Sequence, residues 1–189
     1  MKKPALLIID MQNDFIRDGA PLKVEGADRI MGNIRSVLAL FRKEHLPIFH
    51  VIRVHRQDGS DVELFREDLF RNHPFAVAGT KGAEIISELE PNEGEYILRK
   101  TRMSAFMHTE LDLMLRTIGT DTLFLTGIQT PNCIRTTVFD ACALNYSVYL
   151  VKNAVAAKNE EIHRSNCQDM ASIGVGMIRS SEVGRILIS

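Results

Sequence analysis

A short apolar run near the start of the chain, residues 5–9, ends abruptly at Asp10. Five consecutive apolar residues are typical of a strand that is buried on both faces, as in a parallel sheet. The carboxyl ends of such strands border the crevice in which open α/β sheets bind ligands. Asp10 is therefore predicted to face a site, with a turn cap or a lysine partner as the alternative role for its carboxylate.

Segments with helical periodicity alternate with further strand-like runs along the chain. Apolar residues in the stretch 27–45 recur on one helical face, and residues 48–54 are then predicted to form a second strand. The remaining predicted strands are 96–99, 122–126, 147–151 and 175–178, and the remaining predicted helices are 81–90, 109–118, 131–144 and 160–173. This alternation indicates a three-layer α/β/α sandwich around a doubly wound parallel sheet.

Composition favours a single globular domain over residues 1–189. The chain is 45% hydrophobic and 25% charged, and its net charge of −1 gives no strong field for nucleic acid or an anionic membrane. No apolar stretch approaches the roughly 20 residues that cross a bilayer, so we expect no membrane association. Three cysteines without paired spacing suit a reducing compartment, and we predict a cytoplasmic protein.

Cys133 follows the run 122–126 in a predicted strand, tight loop and helix. Thr130 is a predicted N-cap and Pro131 suits the first helical position, which places Cys133 in the first turn. Free N–H groups and the positive end of the helix dipole favour the thiolate, which is the nucleophilic form. We therefore expect the pKa of Cys133 to be lowered. The alternative is that Cys133 is a small buried hydrophobe.

Lys100 directly follows the predicted strand 96–99. An ammonium close to a cysteine stabilises the thiolate, and an ammonium close to Asp10 stabilises the carboxylate, so one cation can serve both groups. Most lysines are instead exposed on the surface. The position of Lys100 at a strand end favours a place in the same site as Asp10 and Cys133.

Three motifs together resemble one family, namely LLIIDMQNDF, EYILRKTRMSAF and FLTGIQTPNCIRTTVFDA. The sequence resembles the isochorismatase-like cysteine hydrolases, which include nicotinamidases, N-carbamoylsarcosine amidohydrolases and isochorismatases. The resemblance implies that Asp10, Lys100 and Cys133 form a catalytic triad, and that six strands are arranged in the order 3-2-1-4-5-6. It also implies a cis peptide bond between Ile128 and Gln129. The backbone N–H groups of Gln129 and Cys133 are the expected oxyanion hole.

The substrate pocket is predicted from loops. Phe15 and Phe106 are the last residues of the first two motifs and are candidate wall residues. Residues 57–82, which follow His55 and Arg56 at a strand end, form a long segment without a clear element, and such loops usually carry function. In a resembling enzyme this segment would shape the pocket, which makes His55, Arg56 and Phe65 candidates. A solvated basic edge is the alternative for His55 and Arg56.

The resemblance also raises the question of a metal ion, because nicotinamidases of this family carry an aspartate, a histidine two residues later and a further histidine. This chain has Arg53, two residues before His55, at the position expected for that aspartate. His55 and His73 alone fall short of the three or four protein ligands of a usual site. We expect neither a metal nor another cofactor, and nicotinamide becomes a less expected substrate.

The resemblance implies a cysteine-dependent hydrolase that cleaves a C–N bond of a small amide or carbamoyl compound. Cys133 would attack the carbonyl and form a thioester, and Asp10 would move the protons while Lys100 holds both groups in place. Two alternatives stay open: an isochorismatase-type vinyl-ether hydrolase that needs no thiol, and a catalytically silent small-molecule binder. The expected partners are a small-molecule substrate and further copies of the chain in a dimer or tetramer.

Overall fold

A six-stranded parallel sheet runs through the centre of the computed structural model, which describes residues 3–187. Its order is β3-β2-β1-β4-β5-β6, so the predicted strand order and α/β/α sandwich are confirmed. The strands are β1 (Pro4–Ile9), β2 (Ile48–Arg53), β3 (Tyr96–Lys100), β4 (Thr122–Ile128), β5 (Ser147–Ala156) and β6 (Gly176–Ile178).

Helices cover both faces of the sheet. They are α1 (Asn13–Ile16), α2 (Ala27–Lys43), α3 (Glu67–Asn72), α4 (Leu111–Thr117), α5 (Arg135–Ala143), α6 (Glu160–Ser172) and α7 (Val183–Leu187). Within residues 3–187, no helix combines the length and the hydropathy that a membrane crossing requires.

Alternate residues of β1 face opposite sides of the sheet, and both sides are buried. Leu6 and Ile8 pack into the core that contains the apolar face of α2, while Leu7 and Ile9 pack into the core beneath α4, α5 and α6. Side chains of a strand alternate with a period of two, so a strand covered on both faces requires an uninterrupted apolar run. This explains why the chain shows five consecutive apolar residues before Asp10.

The segment 81–90 is not the predicted helix. It contains two 3₁₀ turns, Lys81–Ala83 and Ser87–Leu89. The carbonyl groups of Lys81 and Glu84 accept hydrogen bonds from Asn13, at 2.8 Å from its side chain and 3.1 Å from its backbone N–H. These carbonyls are therefore used in tertiary contacts with the segment after β1, and a continuous helical ladder does not form.

The ends of the two central strands approach each other closely beside Asp10. Gly127 in β4 has φ +109°, and a Cβ atom at this position would lie 2.1 Å from the carbonyl oxygen of Ile9. Only glycine has neither a side chain to clash nor a strong restriction against positive φ. β4 continues past this point with a shifted register against β5, which extends β5 to Ala156. The close approach brings the loop after β4 next to the carboxyl end of β1.

Candidate active site

The three predicted catalytic side chains meet at the carboxyl edge of the sheet. Lys100 Nζ donates a hydrogen bond to Asp10 Oδ2 at 3.0 Å and lies 3.5 Å from Cys133 Sγ. All three residues are buried, with exposed fractions of 2% for Lys100, 4% for Asp10 and 6% for Cys133. One ammonium group therefore contacts both the carboxylate and the sulfur.

Cys133 lies in a π-helical turn, Thr130–Ile134, that leads into α5. The predicted capping role of Thr130 is wrong, because no side-chain cap closes this turn and the Thr130 hydroxyl lies 3.1 Å from His163 Nδ1 on α6. The hydroxyl thus links the turn that carries Cys133 to a neighbouring helix. Cys133 still lies at the start of the helical segment, with α5 beginning two residues later at Arg135.

Gln129 connects β4 to this turn. The Ile128–Gln129 peptide bond is cis. The carbonyl oxygen of Gln129 accepts hydrogen bonds from the N–H groups of Asn132 and Ile134 at 3.0 and 3.2 Å. These contacts attach Gln129 to the turn that carries Cys133. The N–H group of Gln129 is one of the expected oxyanion-hole donors.

The expected lowering of the Cys133 pKa is wrong. Burial raises the pKa of the thiol, and the negative charge of Asp10 acts in the same direction. Lys100 and Arg53 oppose this shift but do not outweigh it. Asp10 Oδ1 is buried and has no hydrogen-bond partner among the described residues, so it can accept a proton. The raised pKa therefore favours the thiol form of Cys133 in the resting site.

A cavity of about 560 Å³ opens above Cys133. The predicted pocket residues Phe15 and Phe65 both line it, together with the apolar side chains of Leu22, Val24 and Leu69. Its charged lining consists of Asp10 and Glu25 and of four cations, Lys23, Arg53, Arg66 and Lys158. Cations outnumber carboxylates in this lining, although Lys23 and Arg53 pair with carboxylates outside it.

His55 and Arg56, which were predicted to line the pocket, lie outside this cavity. His55 is fully buried and packs edge-on against Phe70 and Phe75, with ring centroids 5.8 and 5.4 Å away. Burial, and then the positive charge of Arg53, lower the pKa of His55 and keep the ring neutral. Arg56 is exposed. The segment after β2 therefore directs His55 into an aromatic core, and the next residue points to solvent.

Phe106 also lies outside the cavity. Its ring stacks on Tyr146 with centroids 5.8 Å apart, and it packs against the core beneath α4 and α5. The preceding residue, Ala105, donates its N–H to the Thr137 hydroxyl of α5 at 2.9 Å. This anchor holds the segment after Lys100 against the helices, so that Phe106 contributes to the core and not to the pocket.

The family model described as "Isochorismatase domain" matches residues 4–182. The chain belongs to the isochorismatase family. The match covers nearly the whole chain, including all six strands and the loop with Cys133, and it confirms the resemblance inferred from the three motifs.

Individual members of the isochorismatase family agree with this assignment. The chain is 45% identical to a probable inactive nicotinamidase from Arabidopsis thaliana, over 92% of this chain and 91% of the relative. It is 31% identical to a maleamate amidohydrolase from Pseudomonas putida, over 90% and 80% of the two chains. The crystal structure of an isochorismatase family protein from Desulfovibrio vulgaris is 47% identical, covers both chains completely and superimposes with a TM-score of 0.96.

Arg53 also belongs to this site. Its place in the sequence indicated only that it stands where nicotinamidases carry a metal-binding aspartate. Its side chain is buried at the end of β2. Nη1 donates to both carboxylate oxygens of Glu63, at 2.8 and 2.9 Å, and to the Thr101 carbonyl oxygen at 3.1 Å. Nη2 lies 3.8 Å from Cys133 Sγ. The sequence signal that places Arg53 in this site is its position at a strand end, on the same sheet edge as Asp10 and Lys100.

The residues around Arg53 do not fit the metal site that the nicotinamidase members of the isochorismatase family would imply. A guanidinium occupies this position, its Nη1 lies 3.4 Å from His55 Nε2, and His73 is exposed. Across residues 3–187, no three side chains of His, Cys, Asp or Glu form a group that could hold a metal ion. These residues therefore do not supply the ligand set of such a metal site.

Proposed function

We propose that this chain hydrolyses the C–N bond of a small amide or carbamoyl compound through a thioester on Cys133. The observation that carries the proposal is the convergence of Lys100 with Asp10 and Cys133, at 3.0 and 3.5 Å, at the base of the cavity. The maleamate amidohydrolase among its relatives supports the same reaction class.

The first chemical step starts from the thiol and the carboxylate. Asp10 Oδ1 takes the thiol proton as Cys133 Sγ attacks the carbonyl carbon, so a C–S bond forms and the carbonyl π pair moves onto oxygen. The backbone N–H groups of Gln129 and Cys133 then hold the oxyanion, and one such donor is typically worth about 2.7–4 kcal/mol. The reaction therefore moves negative charge from the carboxylate to the substrate oxygen.

The second step breaks the C–N bond and regenerates the site. Asp10 gives its proton to the leaving nitrogen, which departs as ammonia or an amine, and the thioester remains on Cys133. A water molecule then transfers a proton to Asp10 while its oxygen attacks the thioester. The carboxylic acid leaves, and the proton on Asp10 returns to the thiolate. Lys100 contacts both groups and compensates their charge throughout.

The cavity lining favours a substrate that carries a carboxylate in addition to its amide. Arg66 lines the cavity, and no carboxylate lies within ion-pairing distance of its guanidinium among residues 3–187. Burial and the nearby charge of Arg53 lower the pKa of Arg66, so an added anion would relieve an unfavourable positive charge. Maleamate, the monoamide of a dicarboxylic acid, has this combination of groups. Lys158 adds a second cation to the lining.

The proposal is tested by measuring ammonia release from maleamate, N-carbamoyl amino acids and nicotinamide, with the wild-type chain and Cys133→Ala. We expect release from a carboxylate-bearing amide by the wild type alone, and a covalent mass increase on Cys133 after brief incubation. Equal cleavage of a vinyl ether by the wild type and Cys133→Ala would overturn the proposal in favour of acid catalysis by Asp10. Saturable binding without any product would overturn it in favour of a silent binder.

A further inference from the structure

We propose that Arg53 is a catalytic residue, whose guanidinium stabilises the thiolate of Cys133 while the thiol proton resides on Asp10. Arg53 Nη2 lies 3.8 Å from Cys133 Sγ, within the longer range of hydrogen bonds to sulfur, and both residues line the same cavity. This inference rests on the proposed role of Cys133 as nucleophile.

The contacts of the two buried cations differ in a way that defines the role of Arg53. Lys100 touches both ends of the proton transfer, since its Nζ lies 3.0 Å from Asp10 Oδ2 and 3.5 Å from Cys133 Sγ. It therefore stabilises the carboxylate and the thiolate alike and favours neither strongly. Of the two groups that exchange the proton, Arg53 contacts only the sulfur of Cys133, and its charge acts more strongly on Cys133 than on Asp10, so it favours the state in which the negative charge lies on Cys133.

Glu63 holds the guanidinium in place for this role. Both carboxylate oxygens of Glu63 accept from Arg53 Nη1, which leaves Nη2 directed at the sulfur. Burial alone would raise the pKa of Glu63, but the charge and hydrogen bonds of Arg53 outweigh burial and lower it, so Glu63 stays ionised. A donor that is already fixed needs no reorganisation when charge develops beside it.

The net charge of the site is zero whether the thiol proton lies on Cys133 or on Asp10. The groups counted are Asp10, Lys100, Arg53, Glu63 and Cys133. With Asp10 ionised, Lys100 compensates its carboxylate, and Glu63 compensates Arg53. When the thiol proton moves to Asp10, the total charge does not change, but the negative charge moves to Cys133 Sγ and thus next to the Arg53 guanidinium. Arg53 can therefore assist formation of the nucleophile without a permanently ionised thiol in the resting site.

The test measures the rate of iodoacetamide labelling of Cys133 against pH, peptide by peptide, in the wild type, Arg53→Gln and Arg56→Gln. Arg56 is a matched control because it is an exposed arginine three residues further on and lies outside the cavity. We expect Arg53→Gln to slow labelling near neutral pH about tenfold or more, which corresponds to a shift of about one unit in the pH profile. Arg56→Gln should match the wild type. Equal profiles for all three proteins would overturn the inference.

Labelling needs no turnover, so its outcome is independent of the proposed hydrolysis. If Arg53→Gln does not fold, Glu63→Gln provides a second test. This variant keeps the Arg53 guanidinium and removes the negative charge that pairs with it. We expect its Cys133 profile to shift to lower pH. A shift to higher pH, or none, would overturn the role of Arg53, whereas failure to cleave any amide would overturn only the proposed function.

Discussion

Lys100 and Asp10 form an ion pair between two buried side chains, with Nζ 3.0 Å from Oδ2. The pair joins the carboxyl ends of β3 and β1, which are not adjacent in the sheet. Lys100 also donates to the Arg102 carbonyl oxygen at 3.2 Å. The same ammonium that contacts Asp10 and Cys133 is therefore part of the packing between strands.

Replacing Lys100 by methionine should destabilise the protein, because it leaves the carboxylate of Asp10 buried without a counter-charge. Removing one partner of a buried pair typically costs about 3–5 kcal/mol. Urea denaturation measures this loss, with Lys81→Met as the exposed control. The double variant Asp10→Asn with Lys100→Met should recover part of the stability. A loss for Lys100→Met no larger than that for Lys81→Met would contradict the prediction.

Replacing Asp10 by asparagine should reduce kcat/KM for the amide substrate by about 10²–10⁴-fold, the range for loss of a general acid or base. The amide has nearly the same shape as the carboxylate but cannot take the thiol proton from Cys133. Steady-state kinetics check this, with Asp58→Asn as control, because Asp58 is exposed and lies outside the cavity. Activity of Asp10→Asn close to that of Asp58→Asn would show that another group is the base.

Replacing Arg66 by alanine should raise KM for carboxylate-bearing substrates by about tenfold or more, since hydrogen bonds to charged groups are worth about 1.5–3 kcal/mol. A neutral amide of similar size should show a smaller change. The control is Arg71→Ala, which removes an exposed arginine that pairs with Asp68 on α3. If Arg66→Ala weakens both kinds of substrate equally, the carboxylate binds elsewhere in the cavity.

The sheet could be predicted because its signals are local. The apolar run before Asp10 reflects burial on both faces, and the apolar face that predicted α2 is buried at Ile30, Ile34, Val37, Leu38 and Phe41. The positions of Asp10, Lys100 and Cys133 at strand ends then follow from topology. The segment 81–90 was mispredicted because tertiary bonds to Asn13 determine its backbone, and these bonds join residues about 70 positions apart.

The electrostatics of the site could not be predicted from local sequence. The helix-terminal position of Cys133 suggests a lowered pKa, but the depth of burial and the nearby Asp10 raise it. Arg53 and His55 are two positions apart in sequence, yet Arg53 contacts the Cys133 sulfur and His55 packs among aromatic rings. Which of the two serves the site depends on side-chain direction in the folded chain, which the order of residues does not show.

Gly127→Ala should destabilise the protein strongly. The added Cβ would lie 2.1 Å from the Ile9 carbonyl oxygen, which is backbone and cannot move aside, and the φ of +109° is unfavourable for alanine. Gly32→Ala in α2 is the matched control, since its Cβ would meet no atom within 4 Å, and it should stabilise by roughly 0.5–1 kcal/mol. Thermal unfolding compares the two variants. Similar melting temperatures would contradict the close approach of β1 and β4.

His50 should make the protein less stable as the pH falls below about 6.5, the pKa of histidine in an unfolded chain. Its ring is buried in β2 with Nε2 2.7 Å from Glu95 Oε2, and burial lowers its pKa although Glu95 opposes the shift. The unfolded chain therefore binds a proton more readily, so the free energy of unfolding decreases from about pH 6.5 down to the folded pKa. Glu95 loses its contribution only at lower pH, because its pKa is lowered despite burial by hydrogen bonds with Arg42 and His50. Urea unfolding between about pH 8 and pH 5 should show a shallower decline in the free energy of unfolding for His50→Gln than for the wild type. Glutamine keeps an N–H donor for Glu95. Parallel curves for the two proteins would contradict this assignment.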